Sequence, residues 1–158
     1  MLSFTAILCR AQGYYAPMRA PRGASNTEIK LPPEVQVEFK LSFPKATDVY
    51  WEREYGTTFT ASFIDSTVIN ATYDSTGTLR YIEFERTAKQ LPAIVTADVA
   101  KRYPGWTIET CRLIKDAKGV ITYNALVQKD TMRNSYEINY DGKGKFICVS
   151  PPLPKIVQ

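Results

Sequence analysis

The chain of 158 residues contains no histidine. That absence excludes Ser-His-Asp and Cys-His catalysis, and it excludes the common zinc sites that use histidine ligands. A nucleophile would need a lysine or a carboxylate as its base, and no spacing in the sequence indicates such a pair. We therefore expect a protein that is not an enzyme and that uses no cofactor and no metal.

Cysteine is scarce, and long apolar runs are missing. No stretch of the sequence reaches the about 18 apolar residues that a membrane-spanning helix requires. Of the three cysteines, Cys9 lies near the N-terminus, whereas Cys111 and Cys148 lie in the body of the chain. The last two could form a disulfide in an oxidising compartment. We favour the interpretation that Cys111 and Cys148 are two separate buried thiols, because the strands that carry them need not be neighbours.

The body of the chain also lacks an excess of either charge. The net charge is +4, but Arg10, Arg19 and Arg22 all precede the first acidic residue, Glu28. The other 17 of the 20 basic residues nearly balance the 16 acidic ones. Binding of nucleic acid depends on clustered lysine and arginine that neutralise phosphates, so we expect no nucleic-acid partner. We also expect a monomer.

The N-terminal segment indicates export. Residues 2–9 form a short apolar run, which Arg10-Ala11-Gln12 follows. This arrangement is typical of the end of a secretory signal with cleavage after Ala11, but the positive residues that open such a signal are missing. A cytosolic chain with a frayed apolar end is the alternative. We expect residues 1–26 to be a partial signal peptide with a structureless linker, and residues 27–158 to be one periplasmic or secreted domain.

The rest of the chain contains one pattern twice. The first copy has Leu31-Pro32, Val35, Phe39 and Phe43-Pro44, and the second has Leu91-Pro92, Val95, Val99 and Tyr103-Pro104. Further along, Phe59, Ala61 and Phe63 match Tyr123, Ala125 and Val127, and Tyr73-Asp74-x-x-Gly77 matches Tyr140-Asp141-x-x-Gly144. The offset between the copies grows from 60 to 64 to 67 residues, as longer hairpin loops in the second copy would produce. We expect repeats over residues 31–87 and 91–150.

Each copy predicts one helix and four strands. Apolar residues at i, i+4 and i+8 after Leu-Pro give a helix with one buried face, and the next proline ends it. Four alternating runs follow, separated by short polar turns, and they predict an antiparallel meander. In the first copy these runs are residues 48–55, 58–64, 68–73 and 79–86. The two Asp-x-x-Gly segments are typical of hairpin turns, since too few carboxylates flank them for a calcium loop.

Alternation along the strands assigns the two faces of the sheet. One face should meet the helices and carries Phe59, Ala61, Phe63, Ile69, Ala71, Tyr73, Tyr123, Ala125, Val127, Tyr136, Ile138 and Tyr140. The other, which we call the polar sheet face, carries Tyr50, Glu52, Thr60, Ser62, Asn70, Thr72, Tyr81, Glu83, Asn124, Glu137, Asn139 and Phe146. A solvated surface is one interpretation of this face. A binding surface is the other, because tyrosine and tryptophan are enriched at interface hot spots.

Three features of the sequence together resemble those of a known family. They are the Leu-Pro-x-x-Val-x-x-x-Phe-x-x-x-Phe-Pro helix, the Val49-x-Trp51 strand and the Tyr-Asp-x-x-Gly turns. It comprises the PepSY-like, beta-lactamase-inhibitor-protein-like (BLIP-like) small secreted or periplasmic proteins of Bacteroidetes. The resemblance covers about residues 31–150. It implies an α+β fold of two tandem α-β4 repeats that form an eight-stranded antiparallel sheet, with both helices packed on one face. In the inhibitors that share this fold, the open sheet binds an enzyme.

Two hypotheses for the function follow. The first is a non-enzymatic, extracytoplasmic module that binds a protein or peptide through the open sheet face, with inhibition of an envelope enzyme as one form of that binding. Its candidate partner-binding residues are Tyr50, Glu52, Tyr81, Glu83, Asn124 and Phe146. The alternative is a periplasmic binder of a small molecule or glycan at the junction of the repeats, for which Trp106 is a candidate. Alternation places Trp51 in the core instead.

Overall fold

The structure is a computed structural model, and it describes residues 29–54, 57–129 and 135–150, apart from the side chain of Glu54. The predicted signal peptide and linker lie outside the described residues. The elements in chain order are α1 (Pro33–Ser42), β1 (Thr47–Glu54), β2 (Thr58–Asp65), β3 (Thr67–Asp74), β4 (Leu79–Arg86), a short 3-10 helix (Ala88–Gln90), α2 (Ala93–Arg102), β5 (Thr107–Asp116), β6 (Ile121–Gln128), β7 (Ser135–Asp141) and β8 (Phe146–Ser150).

The eight strands form one sheet in the order β1-β2-β3-β4-β5-β6-β7-β8. Each strand is therefore a neighbour of the strands before and after it in the chain. The predicted α+β fold, with two successive α-β4 repeats and an eight-stranded antiparallel sheet, is confirmed. The chain forms two compact units: the first contains α1, the strands up to Glu85 and the segment Ile114–Val120, and the second contains Arg86–Leu113 and the residues from Ile121 on.

Aromatic packing under helix α1 holds the first unit together. Pro33 is the first residue of the helix, where its missing N–H costs no hydrogen bond. The helix ends at Ser42, and the N–H of Phe43 donates to the carbonyl of Phe39 at 2.8 Å. The Phe39 ring meets the Trp51 and Phe63 rings edge-on, with centroids 5.1 and 5.3 Å apart. The predicted core position of Trp51 is thus confirmed.

Helix α2 packs in the same way on the strands of the second unit. Val95 and Val99 are buried one turn apart, as the spacing of apolar residues predicts. The two valines belong to a buried cluster that consists of Leu91, Val95, Val99, Cys111, Ala125, Val127, Ile138 and Tyr140. Cys111 is a buried thiol that donates to the carbonyl of Arg86 at 3.0 Å. The alternative in which Cys111 is bridged to Cys148 is therefore wrong. The favoured interpretation of two separate thiols is also wrong for Cys148, because Cys148 is disulfide-bonded.

The Asp-x-x-Gly segments form hairpin turns, as predicted. In the first, one carboxylate oxygen of Asp74 accepts the N–H groups of Thr76 and Thr78 at 2.9 and 3.1 Å. Gly77 takes the left-handed conformation, with φ of 83°. A third turn with the same bonds begins at Asp116, between β5 and β6, and sequence reasoning missed it. The sequence does contain the pattern, because Asp116 and Gly119 form the same Asp-x-x-Gly segment.

Candidate functional site

The polar sheet face of the first unit is built by four strands in register. Its cross-strand pairs are Tyr50 with Ser62, Glu52 with Thr60, Thr60 with Thr72, Ser62 with Asn70, Asn70 with Glu83, and Thr72 with Tyr81. Residues that are two apart in a strand share a face, so these pairs form two rows across the sheet. The predicted residues Tyr50, Glu52, Tyr81 and Glu83 are therefore brought to one side of β1–β4.

The middle of this face is a hydrogen-bonded polar layer. The hydroxyls of Thr60 and Thr72 lie 2.9 Å apart, and the Asn70 amide donates to the Glu83 carboxylate at 3.3 Å. All four side chains are buried, with Thr72 only 2% exposed. Buried polar groups are stable when they are paired, and these pairs fix the rotamers of the layer. The solvated surface that the sequence allowed is therefore wrong for these side chains.

Two tyrosines and a carboxylate flank the polar layer. Tyr50 and Glu52 on β1, and Tyr81 on β4, are half-buried, so part of each side chain remains accessible. A tyrosine on a rigid strand offers apolar area and a hydroxyl at a small cost in conformational entropy. The arrangement therefore presents two partly accessible aromatic rings and a carboxylate beside fixed hydrogen-bonding groups.

The second unit carries a polar layer of its own. Asn124 is 1% exposed and donates to Asn139 at 3.1 Å, and the Asn139 amide donates to Ser150 at 3.3 Å. Arg112 of β5 is buried and pairs with Glu137 at 3.7 Å. Sequence reasoning missed Arg112 on this face. Its signal was the alternation with its core neighbour Cys111, which requires Arg112 to point the other way.

The assignment of Phe146 to the polar sheet face is wrong. Phe146 lies opposite Tyr140, and Cys148 lies opposite Asn139, so a β-bulge at Ile147 reverses the alternation of the strand. Phe146 packs on the core side, with its ring centroid 6.2 Å from that of Tyr140. The Arg102 guanidinium lies 4.1 Å from the centroid of the Phe146 ring. Phe146 therefore belongs to the packing under helix α2 and not to a binding surface.

Titration of the tyrosines is perturbed on the core side of the strands. Burial raises the pKa of Tyr73 to about 12, and the charge of Glu38 adds to the effect. Burial also raises the pKa of Tyr140, as does the charge of Asp98, whose carboxylate accepts the Tyr140 hydroxyl at 3.1 Å. Both phenols are protonated at neutral pH and lie under the helices, so their role is structural. Among the residues that the structure describes, no group of three or more ligating side chains could hold a metal ion.

Trp106 takes part in an aromatic cluster of the second unit. Its ring centroid lies 5.5 Å from that of Tyr103 and 5.3 Å from that of Tyr136. All three residues pack against the buried cluster under helix α2. The packing gives Trp106 a structural role.

In the described part of the chain, no helix is long and apolar enough to cross a membrane.

No family model matches the chain, and no curated protein matches it. Solved structures, in contrast, match it over most of its length. The fold and the two polar layers define a small α+β protein with an eight-stranded antiparallel sheet.

The structure is similar to that of a DUF2874 family protein from Bacteroides ovatus, with a TM-score of 0.70, 20% identity and coverage of 77% of this chain and 87% of that one. It is similar to a protein of proposed periplasmic location from Bacteroides eggerthii, with a TM-score of 0.71, 17% identity and coverage of 77% and 89%. It is also similar to a BLIP-like protein from Bacteroides fragilis, with a TM-score of 0.68, 14% identity and coverage of 84% and 94%. The shared fold confirms the resemblance to the BLIP-like proteins at the level of fold.

Proposed function

We propose that this protein is a non-enzymatic, extracytoplasmic binding module that engages a protein or peptide through the polar sheet face of its first unit. The observation that carries the proposal is the polar layer flanked by Tyr50 and Tyr81. A fixed, hydrogen-bonded layer between two partly accessible aromatic rings resembles the anchors and paired polar groups of protein interfaces. Glu52 and Glu83 add negative charge, which favours a partner with basic residues.

The comparisons support the proposal by analogy of fold. The similar protein from Bacteroides fragilis is named for its likeness to an inhibitor of an enzyme, and the one from Bacteroides eggerthii for the periplasm. Inhibition of an envelope enzyme is therefore the form of binding that we propose for this chain. The lack of histidine, and of a nucleophile paired with a base in the sequence, favours binding over catalysis.

The test is affinity capture from a native envelope fraction with the full chain as bait. A second bait carries Tyr50→Ala and Tyr81→Ala. A third bait carries Val37→Ala and Leu41→Ala, which remove exposed apolar side chains from helix α1 on the other side of the strands. We expect a protein that the first and third baits retain and the second loses. We expect each tyrosine to contribute about 1 kcal/mol, so the two substitutions together should cost about 2 kcal/mol and lower the affinity for the isolated partner about 30-fold in the second bait.

Thermal unfolding of each bait controls for loss of the fold. Partners that bind the double-tyrosine variant as tightly as the unchanged chain would refute the polar sheet face as the site. A folded bait that retains no protein in any form would refute the binding module itself.

A further inference from the structure

The sheet that the described residues form has two ends, β1 and β8. A strand at the end of a sheet has one neighbour, so every second residue directs its N–H and C=O groups away from the sheet. Proteins protect such edges with short strands, bulges, prolines and charged side chains. The two ends of this sheet differ in that protection, and the difference indicates which end is suited to accept a further strand.

The edge of β8 is protected by its geometry. The strand spans five residues, Phe146–Ser150, and the bulge at Ile147 interrupts its pairing with β7. Pro151 and Pro152 follow it in the sequence, and a proline has no N–H group to donate. These features leave β8 short and irregular as a template for an added strand.

The edge of β1 is longer and more regular. The strand has eight residues, and its pairs with β2 follow one another without a shift from Tyr50 to Glu54. An irregularity of the pairing lies before Tyr50, where Asp48 has a φ of 52°. We call the outward N–H and C=O groups of residues 50–54 the β1 edge. This part of the strand has the regular pairing that an added strand requires.

The charges of β1 favour a particular kind of added strand. The strand contains one arginine, Arg53, and three acidic residues, Asp48, Glu52 and Glu54. Glu52 lies half-buried on the polar sheet face, whereas Arg53 alternates to the core side, where its guanidinium lies 5.8 Å from the centroid of the Phe59 ring. A basic residue directly across from Glu52 would form an opposite-charge pair, and an acidic residue there would be repelled. The edge therefore favours a basic strand over the acidic β1 of a second copy.

We propose that the β1 edge accepts an extended basic segment of the partner as a further strand of the sheet. The backbone of the segment bonds to the outward groups of residues 50–54, and its basic side chains face Glu52. Main-chain bonds of this kind supply affinity, and the alternate side chains supply specificity. An added strand also continues the polar sheet face beside Tyr50. Use of this edge by the natural partner rests on the proposed function, whereas the pairing itself does not.

Synthetic peptides test the β1 edge without the partner. The first peptide has about the length of β1 and alternates lysine with valine and threonine, which favour strands. The second has glutamate in place of each lysine, and the third is the lysine peptide with N-methyl groups on its backbone amides. Hydrogen exchange of the full chain, resolved by residue, is the measurement. We expect the lysine peptide to protect alternate amides of residues 50–54 and the other two peptides to protect none.

Reversal of one charge tests the pair that selects the strand. The variant Glu52→Lys places a cation across from the lysines of the first peptide. The control Glu34→Lys makes the same change at an exposed residue of helix α1. We expect the lysine peptide to bind Glu52→Lys about three- to tenfold more weakly than it binds the unchanged chain and the control. Thermal unfolding verifies that both variants are folded.

Several results would overturn the proposal. They are unchanged exchange of residues 50–54 at the highest soluble concentration of the lysine peptide, protection of β8 in place of β1, equal protection by the glutamate or the N-methylated peptide, and equal affinity for the two variants. Protection that needs no peptide and grows with protein concentration would assign the edge to a second copy and would also overturn it. Since no partner is present, these outcomes are independent of the capture experiment.

Discussion

Replacing Gly144 with alanine tests how closely the β7–β8 hairpin approaches helix α2. Gly144 has φ of 79°, and a Cβ at this position would clash with the Cγ2 atom of Ile94 and lie 3.2 Å from that of Val95. Gly105 provides the matched control, because it has the same φ of 79° and no atom within 4 Å of such a Cβ. Both substitutions therefore impose the same backbone strain, and only one adds a steric clash.

The two costs can be separated by magnitude. The left-handed conformation costs an alanine about 1–2 kcal/mol, which Gly105→Ala should show alone. Overpacking adds about 1–3 kcal/mol, so Gly144→Ala should lose about 2–5 kcal/mol in total. The Ile94 side chain is 57% exposed and can rotate, which relieves part of the clash. At Gly77 the obstacle is the backbone of Glu34, 2.9 Å away, so Gly77→Ala should cost at least as much as Gly144→Ala.

Urea unfolding of the full chains measures these losses from the midpoint at constant slope. The double variant Gly144→Ala/Ile94→Ala should regain about 1 kcal/mol relative to Gly144→Ala, since the clashing methyl group is removed. Equal losses at Gly77, Gly105 and Gly144 would refute the reasoning, because backbone strain alone would then account for the results. A double variant less stable than Gly144→Ala would refute the assigned contact with Ile94.

Two further predictions concern the buried tyrosines. Tyr140→Phe removes the hydroxyl that donates to Asp98, and it should cost about 1–2 kcal/mol by urea unfolding; an equal loss in the half-buried control Tyr123→Phe would contradict this. The folded pKa of Tyr73, about 12, lies above its ordinary value of 10.0, so between these values the unfolded chain releases a proton that the folded chain retains. The contribution of Tyr73 to the free energy of unfolding is therefore constant below pH 10 and falls as the pH rises toward 12. Tyr73→Phe should make the fall in stability over this range less steep, and an unchanged slope would contradict the assignment.

Most of the fold could be predicted from the sequence because it depends on regular spacing. The helix residues Val35 and Phe39 and their equivalents Val95 and Val99 recur every four residues, which selects the buried face of each helix. Alternation in the strands assigned the core side correctly wherever the pairing is regular. The aspartate and glycine of the hairpins mark the turns through local hydrogen bonds and positive φ, which depend on little beyond the turn itself.

Phe146 shows where the spacing argument fails. The bulge at Ile147 adds one residue to β8, so Phe146, which precedes it, lies on the opposite face from the one that alternation predicts. The same bulge occurs in the first repeat, where Tyr73 faces Leu79 and the next pair is Thr72 with Tyr81. Phe146 lies 67 residues after Leu79, the offset of the adjacent turn, so both copies have an apolar residue at this position. Strict alternation would place both residues on the polar sheet face, so it could not predict the bulge.

The burial of the polar layers could not be predicted from the sequence. Alternation gives the side of the sheet on which Thr72 or Asn124 lies, but it does not say what covers that side. Both residues are nearly inaccessible, at 2% and 1% exposure. Their hydrogen bonds to Thr60 and Asn139 depend on the register of neighbouring strands, which emerges only when the sheet is assembled.

The central claim is that the polar sheet face of the first unit binds a partner through Tyr50 and Tyr81. Its most direct test is the dissociation constant of the captured partner for the Tyr50→Ala/Tyr81→Ala chain and for the Val37→Ala/Leu41→Ala chain, both checked for an intact fold. We predict that binding weakens about 30-fold in the tyrosine variant and by less than about twofold in the helix variant. Equal affinities in the two variants, or a loss confined to the helix variant, would contradict the account.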